Sequence, residues 1–456
     1  MGLFKLKEFP GKGSFRHGIH PPGKKEYSAE NAIEAMPCSD KVVLPLLQHI
    51  GAPCEPAVKP KDYVRFGQLI GVGKSFVSAS LHASIAGKVQ KIANITLPSG
   101  RHIPAIYIKR EGEQISCKKL WSDMLFTDWP NDCISIYDAD TISKIIHNAG
   151  VVGLGGAAFP THVKVMPDDR KMIDTLLVNG CECEPYLTPD YRLMVELPGA
   201  VVTGALLAGR AVAAREIIIC IEDNKPRAIA ALKKATQQTV IKVAVVKTKY
   251  PQGSEKQLIK AVLDVDVPLG GLPSDVGVAM SNVGTMAAIA RGVIMEEPLT
   301  HRVISVTGAG IVNPKNLFVP IGVSMGEVIA FCGGITKDAA RIIAGGPMMG
   351  FAFSNLNTPV TKGTSGITIL THDEIAKENE TSCVRCGRCV DACPMNLVPT
   401  RLAMAARYNN PSLAYQYNIT ACFECGSCSY VCPANIKLVQ LIRTGKAQVA
   451  AARKNR

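Results

Sequence analysis

A four-cysteine run occurs twice near the C-terminal end of this 456-residue chain, and it limits the possible folds more than any other feature. Both copies have the spacing C-x2-C-x2-C-x3-C, and a proline follows each copy directly. The first run is Cys383, Cys386, Cys389 and Cys393, and the second is Cys422, Cys425, Cys428 and Cys432. Structural zinc sites usually take four ligands as two separated pairs. Two complete runs therefore favour two [4Fe-4S] clusters over zinc.

The same spacing predicts which cysteines share a cluster. Three closely spaced cysteines hold one cluster, whereas the fourth, next to the proline, reaches the other cluster. One cluster is expected to use Cys383, Cys386, Cys389 and Cys432, and the other Cys422, Cys425, Cys428 and Cys393. A helical pattern over residues 399–408 lies between the runs, which predicts an α-helical ferredoxin domain.

The two cysteine runs differ in charge. The first contains Arg385 and Arg388, and the second contains Glu424. Because positive charge stabilises the more negative reduced form of a cluster, we expect the Cys383 cluster to have the higher potential. Arginines that face solvent and contact a partner are an equally good interpretation.

Composition limits the partners of the chain. It carries a formal net charge of +13, which favours an acidic partner, an anionic cofactor or an anionic membrane face. Aromatic residues make up only 5%, too few to favour a stacking surface for nucleic acid. No apolar run reaches the roughly 18–20 residues of a bilayer span, and the N-terminal end has no apolar secretion signal. We therefore expect a cytoplasmic chain whose cysteines are metal ligands or free thiols.

A glycine-rich segment, GLGGAAFPTHVK at 153–164, is the second motif. It fits G-x-G-x-x-A, although a helix over 140–148, capped by Asp140, is predicted where a dinucleotide-binding turn has a strand. Pro160 is suited to the first turn of a helix, so the backbone amides before it would face an anion, with Lys164 adding a cation. The segment therefore predicts an anion-binding loop.

The next segments alternate between strand and helix patterns, which predicts an α/β sheet. The first strand ends at NGCECEP, so Asn179, Glu182 and Glu184 would lie beside the glycine loop and form a flavin or nucleotide pocket. The predicted strands are 173–178, 216–221 and 240–246, and the predicted helix is 225–236.

Four segments, GLGGAAFPT, NGCECEP, YPQGSE and SNVGT, resemble the FMN- and NADH-binding motifs of the flavin subunit of respiratory complex I. The resemblance implies FMN contacts at Gly153, Gly155, Gly156, Lys164, Asn179, Glu182, Gly253, Ser281 and Asn282. It implies nicotinamide nucleotide contacts at Ala157, Phe159, Glu184 and Glu255, with Phe159 stacking on the nicotinamide and with Phe159 and Glu184 as the catalytic positions. Leu154 stands where the family has arginine, and Cys181 where it has an acid. We interpret Cys181 and Cys183 as buried neutral thiols.

The flanking regions resemble two further domain types. Residues 59–92 look like a lipoyl-type barrel-sandwich hammerhead, but its tip at 82–85 has no lysine, which favours a docking domain over a carrier. Residues 299–334, closed by GGPMMG, resemble the SLBB β-grasp domain that follows the flavin fold in complex I. The predicted fold is multidomain α/β plus β: a barrel-sandwich-like docking domain (1–115), a complex-I-type FMN/NADH-binding α/β domain (130–298), an SLBB β-grasp domain (299–350), an α-helical two-[4Fe-4S] ferredoxin domain (372–442) and a basic tail (443–456).

The order of these modules, together with RHGIHPPGKK at 16–25, resembles the RnfC or RsxC family of Rnf electron-transport complexes. The resemblance implies a subunit of an ion-translocating NAD:ferredoxin oxidoreductase, peripheral on the cytoplasmic side of the cell membrane. Such a subunit passes electrons between NAD(H), FMN, two [4Fe-4S] clusters and partner subunits. The implied partners are a ferredoxin-like iron–sulfur subunit, integral membrane subunits and, indirectly, ferredoxin.

Two other functions share some of these features. A soluble NADH-dependent cobalamin reductase of the propanediol-utilisation type has the same flavin, β-grasp and cluster motifs, but GIHPPGKK and the full docking segment favour the Rnf complex. A non-catalytic electron-relay scaffold with an inactive nucleotide site would explain Leu154 and Cys181.

Overall fold

The computed structural model describes residues 9–166, 171–375 and 379–454 of the chain. Four packed units follow one another: a β-rich unit, an α/β unit, a second β-rich unit and a helical unit. This order agrees with the predicted multidomain α/β plus β fold.

Two small sheets form the N-terminal unit around one apolar core that includes Leu44, Ile70 and Ile106. The first strand, β1 (Ile33–Ala35), leaves this unit and pairs with the third one. The other strands are β2 (Lys41–Pro45), β3 (Glu55–Pro56), β4 (Tyr63–Val64), β5 (Leu69–Val72), β6 (Leu81–His82), β7 (Gly87–Thr96) and β8 (His102–Arg110). They form sheets of order β2-β8-β7-β4 and β3-β5-β6. Residues 82–85 are buried, so this tip is not presented to another enzyme as a carrier arm would be.

The α/β unit contains a parallel sheet of order β11-β10-β9-β12 with helices on both faces. Its elements are α1 (Cys117–Phe126), α2 (Ala139–Asn148), α3 (Thr161–Val165), β9 (Thr175–Gly180), α4 (Pro189–Glu196), α5 (Pro198–Ala211), β10 (Glu216–Glu222), α6 (Pro226–Ala235), β11 (Ile241–Val246), α7 (Glu255–Leu263), β12 (Val278–Asn282) and α8 (Val283–Ile294). Strand β10 is apolar and buried from Ile217 to Ile221, as expected for a strand covered on both faces. Asp138, not Asp140, caps α2, because its side chain accepts the Thr141 amide.

The third unit is a six-stranded sheet of order β1-β14-β13-β17-β15-β16. Its elements are β13 (His301–Thr307), β14 (Lys315–Pro320), α9 (Met325–Phe331), β15 (Ala339–Ala344), β16 (Phe351–Phe353) and β17 (Gly366–Thr371). The sheet extends beyond the predicted segment 299–350 in both directions. Strand β1 comes from the N-terminal region, and β17 pairs in parallel with β13.

The helical unit contains α10 (Arg388–Asp391), α11 (Pro399–Arg407), α12 (Pro411–Gln416), α13 (Ser427–Tyr430) and α14 (Leu438–Lys454). Helix α11 matches the helical pattern at 399–408. Helix α14 runs through the predicted boundary at 442, and Val449 is buried against the core of this unit. Most of the basic C-terminal segment is therefore part of a packed helix.

Helices α4 and α5 follow one another closely and meet at an angle of 97°. By length and composition alone, this bent pair could cross a membrane. Over the described ranges, no single helix is long and apolar enough to do so.

Candidate flavin and iron–sulfur sites

The glycine-rich segment forms a tight hairpin between α2 and α3. Its base is closed by a hydrogen bond from the Gly153 amide to the Phe159 carbonyl, 2.8 Å long. At its tip Gly155, Gly156 and Ala157 are exposed. Gly156 has φ +114°, and a Cβ at this position would meet no heavy atom within 4 Å. A loop with bare, open backbone lets a phosphate or a flat ring approach closely, so this hairpin fits FMN or a nucleotide.

Two asparagines stand side by side at the carboxyl end of the sheet, on β9 and β12. Asn282 pairs in register with Asn179 and lies against the glycine hairpin, since a Cβ at Gly155 would be 3.2 Å from Asn282 Cβ. The side-chain amide of Asn179 donates to the Gly253 carbonyl at 2.8 Å. The structure therefore brings together Gly155, Asn179, Gly253 and Asn282, with Ser281 next to Asn282, at the edge where open α/β sheets bind ligands.

Lys164 and Glu255, expected to contact different ligands, form an ion pair. Lys164 Nζ lies 2.6 Å from Glu255 Oε1 and donates to the Met280 carbonyl at 3.1 Å. Their side chains are 30% and 45% exposed, so solvent weakens the pair. Lys164 Nζ thus lies beside β12 and is partly open to solvent.

Glu182, on the loop after β9, is almost completely buried, with 4% of its side chain exposed. Its Oε1 accepts hydrogen bonds from the amides of Asp190 and Tyr191 at the start of α4. Oε2 lies 3.9 Å from Lys25 Nζ, too far for a hydrogen bond, and has no hydrogen-bond partner among the described residues. Burial raises the pKa of Glu182 to about 7, although Lys25 opposes this change. A buried carboxylate oxygen without a donor fits a site where a bound polar group supplies one.

Lys25 holds the Glu182 loop in place, although the sequence assigned this lysine no part in the site. Its Nζ donates to the carbonyls of Glu182 (2.8 Å), Glu184 (2.7 Å) and Leu187 (2.5 Å). Lys225 holds the start of the same loop by donating to the Cys181 carbonyl at 2.6 Å. Lys25 belongs to the segment GIHPPGKK, and the two lysines at the end of this segment are the only local sequence feature that could have indicated a role in the site. Its function depends on a contact with residues more than 150 positions away.

Cys181 and Cys183 lie on this loop. Burial raises the pKa of Cys183 to about 12 and raises that of Cys181 well above its usual value. Cys183 Sγ accepts a hydrogen bond from the Gly253 amide at 3.4 Å. Both residues are therefore neutral thiols, as the sequence-based interpretation has it, although Cys183 is half-buried and only Cys181 is buried.

Glu184 faces the GGPMMG turn of the third unit. Its Oε1 accepts hydrogen bonds from the amides of Met348 (2.7 Å) and Met349 (3.2 Å). A Cβ at Gly346 would lie 2.1 Å from Glu184 Cγ, so only glycine fits there. Burial raises the pKa of Glu184 to about 7. Phe159 is half-buried on the separate glycine hairpin, and the shared role of these two residues toward a nicotinamide stays a prediction.

The structure places Cys393 with the second cysteine run, as the spacing predicts. One cavity is lined by Cys393, Cys422, Cys425 and Cys428, with Leu397, Leu402 and Ile442 among its apolar walls. In the described part of the chain, no three His, Cys, Asp or Glu side chains are arranged to hold a single metal ion. A [4Fe-4S] cluster takes four cysteines, each bound to a different iron, and this cavity is lined by four.

The remaining four cysteines form the second predicted group. Besides burial, the neighbouring thiols of Cys432, Cys383 and Cys386 raise the pKa of Cys389. Every residue from 379 to 388 is exposed, whereas Cys425 is half-buried and Cys428 buried. We name residues 383–389 the outer cysteine loop and residues 422–428 the inner cysteine loop.

Glu424, the acid noted in the second cysteine run, is paired in the structure. Two cations from α14 pair with it: Arg443 Nε at 2.9 Å from Oε2 and Lys446 Nζ at 2.5 Å from Oε1. Lys446 also donates to the Cys422 carbonyl at 3.0 Å. Although burial opposes the change, Lys446 and Arg443 lower the pKa of Glu424. The negative charge of Glu424 is therefore compensated by side chains distant in sequence, and the expected difference between the two cluster potentials stays a prediction.

Sequence models of known families match all four units. The matches are an RnfC barrel sandwich hybrid domain over 13–113, a Nuo51 FMN-binding domain over 146–291, an SLBB domain over 303–352 and a 4Fe-4S dicluster domain over 382–436. These findings confirm the predicted fold class and the predicted cofactors FMN, iron–sulfur clusters and NAD(H).

One fold relative among solved structures is an NAD+-reducing [NiFe]-hydrogenase in the H2-reduced state. A chain of it superposes with a TM-score of 0.50 at 18% identity, over 74% of this chain and 70% of that one. At this identity the likeness shows the fold alone.

Curated relatives match this chain over most of its length. The RnfC-type subunit of the proton-translocating ferredoxin:NAD+ oxidoreductase complex of Clostridium ljungdahlii is 45% identical, covering 96% of this chain and 94% of the relative. Its counterpart in the Na+-translocating complex of Acetobacterium woodii is 42% identical, covering 97% and 98%. The counterpart in the ion-translocating oxidoreductase complex of Rhodobacter capsulatus is 40% identical, covering 85% and 74%. Together with the matches to all four units, these relatives show that the chain belongs to the RnfC family of ion-translocating ferredoxin:NAD+ oxidoreductase complexes.

Proposed function

We propose that this chain exchanges electrons between NAD(H) and a partner iron–sulfur subunit through FMN and two [4Fe-4S] clusters, as a peripheral subunit on the cytoplasmic side of the membrane. The observation that carries the proposal is the direct packing of the flavin loops against the inner cysteine loop. Cys183 from the flavin side and Cys425 from the cluster side pack against the same small apolar group, Ile19, Tyr250 and Ala392. A nucleotide site and a chain of clusters in such contact favour an electron path.

The residues of the flavin site would bind the cofactor and orient the nicotinamide nucleotide. The glycine hairpin amides and Lys164 would hold the FMN phosphate, and Asn179, Gly253, Ser281 and Asn282 would line the flavin site. The unsatisfied Glu182 Oε2 would accept a hydrogen bond from the bound cofactor. Ala157, Phe159, Glu184 and Glu255 would contact the nicotinamide nucleotide.

FMN, when bound, couples two-electron hydride transfer to the one-electron chemistry of clusters. The overall exchange converts NADH and two oxidised clusters into NAD+, one proton and two reduced clusters. The inner loop lies nearer the flavin loops, and the outer loop is open to solvent. The Cys422 cluster would therefore come first in the path from NADH and the Cys383 cluster second.

The outer cysteine loop is the proposed exit to the partner. Arg385 and Arg388 lie there, and both are exposed. Cations around a surface cluster favour docking of an acidic iron–sulfur protein and speed its encounter. The integral membrane subunits of the complex would anchor the assembly.

The two alternatives have less support. The curated relatives described above are subunits of ion-translocating complexes, which favours the membrane complex over a soluble cobalamin reductase. The scaffold hypothesis depends on Leu154 and Cys181. Leu154 accepts a hydrogen bond from buried Arg302 through its carbonyl at 3.2 Å, and Cys181 is a packed thiol, so neither residue disrupts the site.

The test is an anaerobic NADH titration of FMN-loaded, cluster-reconstituted protein, followed by flavin and cluster absorbance. We expect the flavin to bleach and the clusters to follow. FMN that stays bound but oxidised would contradict the proposal and favour the scaffold. Recovery of the native protein only from the soluble fraction would instead favour the cobalamin reductase.

A further inference from the structure

Tyr250 joins the flavin site to the inner cysteine loop through one side chain. It lies on the loop between β11 and α7, and it is 2% exposed. Its hydroxyl donates to the Cys425 carbonyl at 2.5 Å. Cys425 is one of the four cysteines that line the inner cavity, so this hydrogen bond ends on the backbone of a predicted cluster ligand.

The same loop is part of the flavin site three residues further on. Gly253 accepts the Asn179 side chain through its carbonyl and donates its amide to Cys183. The backbone of Tyr250 is fixed on its other side, because its amide and carbonyl both pair with Ile19 at 2.9 Å. The phenol ring is therefore held rigidly between the two sites.

Packing and hydrogen bonding act together at this point. The ring of Tyr250 lies in the apolar group with Ile19 and Ala392, against which Met348 and Cys425 pack. Leaving a buried hydroxyl without an acceptor costs more free energy than leaving an exposed one without an acceptor. The hydrogen bond to Cys425 therefore resists breaking and holds the inner loop at a defined distance from the flavin loop. Electron transfer between two bound groups depends strongly on how closely they are held.

We propose that Tyr250 is a positioning residue that holds the inner cluster at a fixed distance from the flavin and thereby sets the rate of electron transfer between them. The inference rests on the proposed function. Each transfer oxidises the flavin by one electron and reduces a cluster by one electron, and no bond forms between them. Two transfers return the reduced flavin to its oxidised form, so that one proton is released to solvent for each NADH oxidised.

The test compares Tyr250→Phe with Tyr186→Phe in the full chain, loaded with FMN and reconstituted with clusters. Tyr186 is a matched control, because it is also buried and its hydroxyl donates to Glu374 Oε1 at 2.7 Å. The Tyr250 hydroxyl also lies beside the Glu184 carboxyl, so cluster reduction is compared with flavin bleaching in the same protein. After rapid mixing with NADH, we expect Tyr250→Phe to reduce its clusters about three- to tenfold more slowly relative to its flavin bleaching, the effect of one lost hydrogen bond. Tyr186→Phe should reduce them at the wild-type rate.

A second measurement does not depend on NADH. The electron paramagnetic resonance spectrum of dithionite-reduced protein should change at one cluster in Tyr250→Phe and at neither in Tyr186→Phe. Replacing Tyr250 by 3-fluorotyrosine keeps the ring and makes the hydroxyl a stronger donor, so the spectrum should change in the opposite sense.

The outcomes separate the two proposals. Wild-type cluster reduction and an unchanged spectrum in Tyr250→Phe would overturn the positioning role. Loss of iron or FMN from Tyr250→Phe, with a wild-type spectrum in the fluorotyrosine protein, would overturn it in favour of a purely structural role. Failure of NADH to bleach the wild-type flavin would contradict the proposed function, while the dithionite spectra would still decide the role of Tyr250.

Discussion

The two cysteine loops have the same spacing and the same backbone, but they differ in their contacts with the rest of the molecule. Gly387 and Gly426 occupy equivalent places, each before a short helix, with φ +80° and +87°. A Cβ at Gly387 would meet nothing within 4 Å, whereas a Cβ at Gly426 would lie 2.7 Å from the Met348 carbonyl oxygen. The repeat therefore defines how each loop folds, and tertiary contacts define one as inner and the other as outer.

This difference matches a division of function. The inner loop contacts Tyr250, Arg443 and Lys446, and these contacts come from two other parts of the chain. The outer loop is exposed over its first residues and carries its own cations. A cluster that receives electrons from a bound cofactor needs a fixed position, whereas one that passes them to another protein needs an accessible surface.

The largest expected difference is between Gly426→Ala and Gly387→Ala. Both place a side chain at positive φ, a strain of about 1–2 kcal/mol. Gly426→Ala adds the clash with the Met348 carbonyl oxygen, which would bring the loss of unfolding free energy to about 2–5 kcal/mol. Thermal unfolding of both variants measures the two losses of stability, and iron content measures whether each loop still holds its cluster. Equal losses in the two would show that the inner loop is no more confined than the outer one.

The next effect concerns the exposed cations of the outer loop. Charge reversal in Arg385→Glu with Arg388→Glu should slow reduction of an acidic iron–sulfur partner about tenfold at low salt and much less at high salt, because rim charges act mainly on association. Reduction of the inner cluster by NADH should not change, because both arginines lie on the outer loop. A control, Arg401→Glu, removes a cation that packs on Tyr417 instead. A loss without salt dependence would contradict docking at this loop.

Local patterns explain what the sequence could predict. Cysteine spacing, the glycine-rich loop and the apolar strands of the α/β sheet depend on residues close in sequence. The predicted strands and helices of the sheet agree with the structure, and the ligands of the loop and of the cysteines stay predictions. Lys25 and the pairing of Glu424 with Arg443 and Lys446 depend on where distant segments meet. Strand β1 joins a sheet whose next member is more than 250 residues away. Periodicity carries no signal for such contacts.

The smallest effect concerns Glu424, whose charge is now seen to be compensated. In Glu424→Gln, Arg443 and Lys446 lose their acceptor charge, which should lower the unfolding free energy by about 1 kcal/mol. Removing a negative charge beside the inner cluster should also raise its reduction potential relative to the outer one. The control is Glu380→Gln, which breaks the exposed ion pair with Arg407 beside the outer loop. Redox titration of both variants measures the two cluster potentials. An unchanged potential of the inner cluster in Glu424→Gln would contradict the prediction.

The stability effect of Glu424 should depend on pH in a defined direction. Its pKa in the folded chain lies below the usual value of 4.5, because Lys446 and Arg443 favour the charged form despite burial. The folded chain then binds a proton less readily than the unfolded chain, so the stabilisation is complete above pH 4.5 and is lost as the pH falls through the folded pKa. The difference in unfolding free energy between wild type and Glu424→Gln should therefore be constant near neutral pH and shrink in acid. A difference that grew in acid would mean that α14 does not compensate this charge.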